Sequence, residues 1–124
     1  MPTVLVVEDD RDARQLEQMA LQHCGYEVVT AANGRDALVA AKHHQPQVIV
    51  FYLMMPVMDG LTFLEQRQRS DNVYMRLIPV ICVSAGGNEL TAEALRRGAA
   101  TCLGKPTDLD QLCDAVAHWA SDRD

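Results

Sequence analysis

Five short apolar runs alternate with longer amphipathic stretches, and this alternation constrains the fold more than any other feature. The apolar runs cover residues 4–7, 28–29, 48–51, 79–83 and 101–103. Most of these runs are apolar on both faces, which is typical of strands covered by helices on both sides. Strands that alternate with helices favour a parallel sheet with right-handed crossovers. The sequence therefore predicts an α/β domain with five strands and five helices, and its 124 residues suit a single domain of this kind.

Apolar residues recur at helical spacing between the strands, and we expect these stripes to pack on the sheet. In chain order the stripes are Leu16, Met19, Ala20 and Cys24; Ala37, Leu38 and Ala41; Leu61, Leu64 and Gln68; Ala92, Leu95 and Ala99; and Leu112, Val116 and Trp119. We expect Gly25 just past the end of the first helix, and Thr107 or Asp108 as the cap of the fifth.

Charge and composition exclude several classes of protein. The formal net charge is −6, and the eleven Lys and Arg residues are scattered, whereas a nucleic-acid binder usually carries a basic patch. No apolar run approaches the roughly 18 residues of a membrane span. The four cysteines, at positions 24, 82, 102 and 113, include no C-x-x-C pair. We therefore expect reduced thiols in a cytoplasmic protein that binds neither nucleic acid nor a membrane directly.

Polar side chains follow four of the predicted strands. Glu8 and Asp9 come after the first, Tyr52 ends the third, Ser84 follows the fourth and Lys105 follows the fifth. In an open parallel sheet, ligands bind beyond the carboxyl ends of the strands. Carboxylate oxygens suit Mg²⁺, and a lysine with a hydroxyl suits phosphate oxygens. The sequence therefore places a metal and phosphate site at this edge, although no nucleophilic carboxylate ends the third strand.

Four segments resemble motifs of the receiver domain of two-component response regulators. Residues 4–10 resemble its opening, residues 53–60 the segment after its phosphorylated aspartate, residues 83–85 its strand-four hydroxyl motif and residues 104–106 its strand-five lysine motif. The likeness runs from about residue 3 to residue 120. It implies a flavodoxin-like, doubly wound five-stranded sheet in the order 2-1-3-4-5, as a single receiver-like domain over residues 1–124.

The resemblance also implies roles for individual residues. Glu8 and Asp9 match the acidic pair that holds Mg²⁺, and Met54 matches the position that lends its backbone carbonyl to the metal. Ser84 matches the hydroxyl that moves toward the phosphoryl group, and Lys105 matches the lysine that pairs with the acceptor aspartate and the phosphate.

Two positions depart from the family pattern. Tyr52 stands where the family has its phosphorylated aspartate, and Cys102 stands where it usually has an aromatic switch residue. A phenol with a pKa near 10 is neutral at neutral pH and is a poor nucleophile without a nearby base. It also removes one negative charge, so any Mg²⁺ site should be weak. We expect loss of phosphotransfer at Tyr52, and we expect Lys105 to pair with Asp9 or Glu8 or to stay solvated.

The resemblance implies a regulatory protein-protein module in phosphorelay signalling rather than an enzyme. Its implied partners are a sensor histidine kinase, a phosphotransfer protein or an output domain. The docking face of the family combines the fourth helix, the fifth strand and the fifth helix, and we expect a monomer or a weak dimer through it. On this chain that face includes Leu90, Leu95, Arg96, Cys102, Leu112 and Val116.

Two other interpretations stay open. The chain could be a conventional phospho-accepting receiver that carries an introduced Asp-to-Tyr change at position 52. It could also be an enzyme on the same fold. A flavodoxin would need a Ser/Thr-rich loop where Glu8, Asp9 and Asp10 lie, and the acid pair of an aspartyl phosphatase would fall on Asp10 and Asp12, at the predicted start of the first helix.

Overall fold

A computed structural model of the chain describes residues 2–53, 57–85, 87–104 and 108–120. Within these ranges, five parallel strands form one sheet in the order β2-β1-β3-β4-β5, as the resemblance implies. The strands are β1 (Thr3–Val7), β2 (Glu27–Ala31), β3 (Val48–Tyr52), β4 (Val80–Ser84) and β5 (Thr101–Gly104). Each predicted apolar run lies within a strand except Pro79, which precedes β4.

The same ranges contain six helices, one more than the sequence predicts. They are α1 (Arg11–His23), α2 (Gly34–His44), α3 (Val57–Gln68), α4 (Val73–Leu77), α5 (Asn88–Arg96) and α6 (Leu109–Ala120). The additional helix is α4, which begins where the side chain of Asn72 accepts the Tyr74 N–H at 2.9 Å. It is too short to show a helical stripe, so periodicity cannot reveal it. The fourth and fifth predicted helices correspond to α5 and α6.

Alternate residues of the central strands point to opposite faces of the sheet and build two apolar layers. One layer contains Leu5, Val7, Ile49, Phe51, Val80 and Cys82, packed with residues of α2, α3, α4 and α5. The other contains Val4, Val6, Val48, Val50, Ile81 and Val83, packed with Leu21 of α1 and with Leu112 and Val116 of α6. The sheet is therefore covered on both faces, which explains its continuous apolar runs.

The apolar stripe of α1 does not face the sheet. Leu16 and Met19 are 57% and 65% exposed, whereas Glu17 and Leu21 are buried. The predicted stripe through Leu16, Met19, Ala20 and Cys24 is therefore wrong. The buried face of α1 includes a carboxylate that meets a polar group of the sheet, and a periodicity rule assigns such a residue to solvent.

The other helices follow their stripes more closely. Ala37 and Ala41 of α2, Leu64 of α3, and Leu112 and Val116 of α6 are all buried as predicted. The predicted burial is wrong at one position in α3 and one in α5. Gln68 is exposed, and Arg67 is buried in its place. Leu95 is 45% exposed, and Ala94 packs inward instead.

Helix ends follow local capping signals, including those predicted at Gly25 and Asp108. Asn33 caps α2 and accepts the Asp36 N–H at 2.9 Å. Gly25, just past α1, has a φ of 99°, in the left-handed region that a residue without a Cβ adopts at little cost. Asp108 accepts the Asp110 N–H at 3.0 Å at the start of α6, and Thr107 lies outside the described residues.

Arg67 connects three parts of the fold from a buried position. Its Nε and Nη2 donate to the carbonyl of Ile78 at 3.2 and 3.0 Å, and Nη2 also donates to the carbonyl of Gly98 at 3.3 Å. The guanidinium therefore fastens α3 to the segment before β4 and to the turn after α5. Burial lowers its pKa, because a charged group loses solvation in the interior.

The expectation of four reduced thiols is wrong for one pair of cysteines. Cys24 at the end of α1 and Cys113 on α6 form a disulfide with a Cα–Cα distance of 6.6 Å, across a sequence separation of 89. Only the packing of α1 beside α6 brings them together, so their spacing in the chain carries no signal. Cys82 and Cys102 are free thiols.

None of the helices in the described ranges combines the length and the apolar composition that crossing a bilayer requires.

Candidate functional site

The carboxyl ends of the strands bring three of the predicted site residues to one edge of the sheet. Glu8 follows β1 directly, and Tyr52 and Ser84 are the last residues of β3 and β4. Register pairs Tyr52 with Val83, and Ser84 with Gly104 of β5. The predicted convergence of these positions is therefore a property of the parallel sheet. Met54, Lys105 and Pro106 lie outside the described residues.

Glu8 is held in the interior. It is only 1% exposed, and its backbone N–H donates to the carbonyl of Ala31 at 3.1 Å, which extends the pairing of β1 with β2. Its Oε2 accepts the Asp10 N–H at 3.2 Å. Nη1 of Arg14 donates to the Glu8 carbonyl at 2.8 Å. These contacts fix the start of α1 against the end of the first strand.

The two neighbouring acids are exposed and serve the start of α1. Asp9 and Asp10 both face solvent. Asp10 is the N-cap of α1, and its Oδ1 accepts the Asp12 N–H at 3.2 Å. The Asp10 carboxylate is therefore engaged in helix capping, which does not support its use in the acid pair of a phosphatase.

Tyr52 turns inward, toward the layer formed by α1 and α6. It is 6% exposed and packs with Val50, Val83 and Leu21. The phenol donates a hydrogen bond to the carboxylate of Glu17. Sequence reasoning misses Glu17, because a glutamate in an amphipathic helix is normally on the polar face. The phenol at position 52, at the end of a buried strand, is the signal that could point to a polar partner on the covering helix.

The surroundings of Tyr52 keep its phenol neutral. Burial raises the pKa of Tyr52 far above its ordinary value, because the phenolate would lose its solvation. The negative charges of Glu17 and Glu8 and the hydrogen bond to Glu17 raise this pKa further. A neutral, buried phenol is a poor nucleophile near neutral pH.

The described donors do not form a complete Mg²⁺ site. Within the described ranges, no group of three or more His, Cys, Asp or Glu side chains is placed to hold a metal ion. Glu8 is drawn inward by the Asp10 N–H, and Asp9 faces solvent. The Tyr52 oxygen is engaged with Glu17. Since Mg²⁺ demands near-octahedral oxygen ligands, the described side chains do not by themselves fit the ion.

The predicted docking face is narrower than expected. Leu95 and Arg96 of α5 are exposed, and Leu90 and Cys102 are partly exposed. The assignment of Leu112 and Val116 to this face is wrong, because both are fully buried in the core. They lie on the inner side of α6, against β3 and β4, so they cannot contact a partner.

A second apolar surface lies between α1 and α6. A groove of about 420 Å³ is lined by Leu16, Met19, Cys24, Leu109 and Cys113, together with three neighbouring residues. Leu16 and Met19 are exposed here because α1 directs Glu17 and Leu21 at the sheet instead.

The comparisons with known proteins agree with this architecture. Chemotaxis protein CheY of Bacillus subtilis is 31% identical over 114 residues, which cover 91% of this chain and 92% of that protein. Transcriptional regulatory protein PrrA of Mycobacterium tuberculosis is 36% identical over 116 residues, which cover 93% of this chain and 48% of PrrA. The chain therefore spans about half the length of PrrA. The receiver domain of Francisella response regulator 1452 superposes with a TM-score of 0.89, at 29% identity and with full coverage of both chains.

The family model of the response regulator receiver domain matches residues 4–117, nearly the whole chain. This match agrees with the 2-1-3-4-5 sheet. The chain belongs to the receiver domain family of two-component response regulators.

Proposed function

We propose that this receiver domain does not accept a phosphoryl group at position 52 and acts in two-component signalling as a regulatory module that binds other proteins. The observation that carries the proposal is the state of Tyr52: it is buried, neutral and hydrogen-bonded to Glu17. Phosphoryl transfer depends on an in-line nucleophile and on neutralisation of charge. The Tyr52 oxygen offers neither, because it carries a proton and is directed into the protein.

Under this proposal, the other residues of the site keep the family's positions but do not support phosphotransfer. Ser84 and Lys105 occupy the phosphate-contact positions of the family, and Glu8, Asp9 and Met54 occupy the metal positions. Mg²⁺ binding is weak, because the site lacks the carboxylate that position 52 would supply. The domain therefore holds one conformation at its partner surface and is not switched by phosphate.

The partners of the domain are a sensor histidine kinase, a phosphotransfer protein or an output domain, in the cytoplasm. The exposed part of the predicted docking face, formed by Leu95 and Arg96 with Leu90 and Cys102, is the surface for these partners. The domain acts as a monomer or as a weak dimer through this surface. It has no catalytic activity of its own under this proposal.

The test is incubation of the chain with acetyl phosphate and Mg²⁺, followed by intact mass spectrometry. We expect no gain of a phosphoryl group. The matched comparisons are Tyr52→Asp and the double variant Tyr52→Asp/Glu17→Ala. The double variant is included because Tyr52→Asp alone places a second carboxylate beside Glu17, and like charges resist ionisation together.

Labelling of the unaltered chain at Tyr52, as a phosphate ester that resists hydroxylamine, would overturn the proposal. Labelling of Tyr52→Asp alone would show that the remaining residues are competent, which is what an introduced Asp-to-Tyr change predicts. If only the double variant is labelled, Glu17 also prevents phosphotransfer, as a second change in addition to Tyr52.

A further inference from the structure

Two thiols meet on the face of the sheet that α5 covers. Cys82 of β4 and Cys102 of β5 are register partners in a parallel pair, so their side chains leave the sheet on the same side. The Cys82 and Cys102 thiols lie close enough to shift each other's pKa. The Cys102 thiol in turn donates to the carbonyl of Thr91 in α5 at 3.8 Å. The two thiols therefore lie side by side on the sheet, and that of Cys102 also contacts the covering helix.

The two thiols differ in their access to solvent. Cys82 is fully buried, and Cys102 is partly exposed. The contact with Cys82 lowers the pKa of the Cys102 thiol, because it stabilises the thiolate. The same contact and burial raise the pKa of Cys82. A reagent that arrives from solvent therefore meets the more acidic thiol first, and the buried thiol keeps its proton behind it.

An independent feature adds a positive charge beside this pair. Arg67 is 4% exposed, and its Nη1 is buried with no hydrogen-bond partner among the described residues. Its other guanidinium nitrogens bond to the carbonyls of Ile78 and Gly98. The charge of Arg67 interacts with Cys82 and favours its thiolate. A buried cation beside a buried thiol makes the loss of that proton easier during a reaction.

We propose that Cys82 and Cys102 form a dithiol site that a hydroperoxide oxidises to a disulfide. The Cys102 thiolate attacks the O–O bond, which gives a sulfenic acid at Cys102 and releases the alcohol, or water from hydrogen peroxide. The Cys82 sulfur then attacks the sulfenic sulfur, forms the S–S bond and displaces water. In total, two thiols lose two electrons and two protons, and the peroxide is reduced by two electrons.

The register of the two strands places the Cα atoms at a spacing compatible with this bond. Neighbouring strands lie about 4.8 Å apart, which is within the range of about 4.4–6.8 Å between the Cα atoms of disulfide-bonded residues. Oxidation also removes the thiol proton that Cys102 shares with the Thr91 carbonyl. The bond therefore changes the contact between β5 and α5, independently of any chemistry at Tyr52.

The experiment treats the folded chain with a stoichiometric amount of hydrogen peroxide and maps its cysteines by alkylation and non-reducing peptide analysis. We expect a peptide pair linked through Cys82 and Cys102 that separates on addition of dithiothreitol. The Cys24–Cys113 disulfide is an internal comparison, because it lies between α1 and α6 and should be unaffected by peroxide. A Cys24→Ser/Cys113→Ser background removes its exchange with the proposed pair.

Two variants separate the steps. In Cys82→Ser, the sulfenic acid at Cys102 should persist and react with dimedone, because no second thiol resolves it. In Cys102→Ser, peroxide should leave Cys82 reduced. After peroxide treatment, the sample is quenched and unfolded before alkylation. If both cysteines of the unaltered chain are still alkylated, or if Cys82 is oxidised before Cys102, the proposal is wrong. Peptide mapping of the unaltered chain, oxidised with dimedone present to trap the first sulfenic acid, distinguishes these outcomes even if a variant does not fold.

Discussion

The phenol of Tyr52 donates a hydrogen bond to the carboxylate of Glu17, and both side chains are buried between β3 and α1. This pair joins the last residue of the central strand to the middle of the first helix. It explains why a glutamate occupies the buried face of α1, and why the phenol is directed away from the edge of the sheet. The contact should therefore affect the stability of the fold and its dependence on pH.

Removal of the Tyr52 hydroxyl should destabilise the fold. Tyr52→Phe leaves the Glu17 carboxylate buried without the phenol donor, and we expect a loss of about 1–3 kcal/mol in the free energy of unfolding. Urea denaturation followed by circular dichroism measures it. Tyr52→Phe/Glu17→Leu should recover most of the loss, because both polar partners are then gone. If Tyr52→Phe is as stable as the unaltered chain, the Tyr52 hydroxyl does not stabilise the contact with α1.

The stability of the fold should fall at alkaline pH because of Tyr52. Its pKa is raised in the folded protein by burial and by Glu17 and Glu8, while in the unfolded chain it is near 10. Above a pH of about 10, the unfolded chain loses this proton and the folded chain keeps it, so the free energy of unfolding decreases as the pH rises. Below about pH 10 both states hold the proton, and this residue adds no slope.

Urea denaturation at several pH values between about 9 and 11 measures this slope. Tyr52→Phe removes the titrating group, so its slope should be smaller than that of the unaltered chain. Equal slopes for the two proteins would show that the phenol of Tyr52 ionises as readily in the fold as outside it.

Arg67 should contribute strongly to stability through its carbonyl contacts. Arg67→Met removes the donors to Ile78 and Gly98 and leaves both carbonyls without them, for which we expect a loss of about 3 kcal/mol. Arg69→Met is the matched control, because Arg69 is exposed just past the end of the same helix, and it should change stability by less than about 0.5 kcal/mol. Similar urea midpoints for the two variants would contradict the structural role of Arg67.

The orientation of α1 can be tested with two leucines of the same helix. Leu21 is fully buried and Leu16 is 57% exposed. Leu21→Ala should destabilise the fold by about 2–5 kcal/mol through the cavity it leaves. Leu16→Ala should change stability by less than about 0.5 kcal/mol. The reverse order of effects in thermal or urea denaturation would mean that the apolar stripe of α1 packs on the sheet after all.

Much of the architecture follows from local patterns. The strands are predictable because each is a short run of apolar residues, and the cap at Asp108 because short polar side chains at helix starts accept free backbone N–H groups. The site positions Glu8, Tyr52 and Ser84 are predictable because parallel strands end at one edge. Helix α4 escapes sequence analysis because a single short helix carries no periodic stripe.

The sequence by itself determined which segments become strands, and which polar groups follow them, because both depend on residues that are neighbours in the chain. Only the tertiary structure decided that Tyr52 meets Glu17, that Cys24 meets Cys113, and that Arg67 bonds to the carbonyls of Ile78 and Gly98. Each of these contacts joins residues of different elements. It depends on how a helix is rotated and placed on the sheet, and the packing of the whole core sets that rotation.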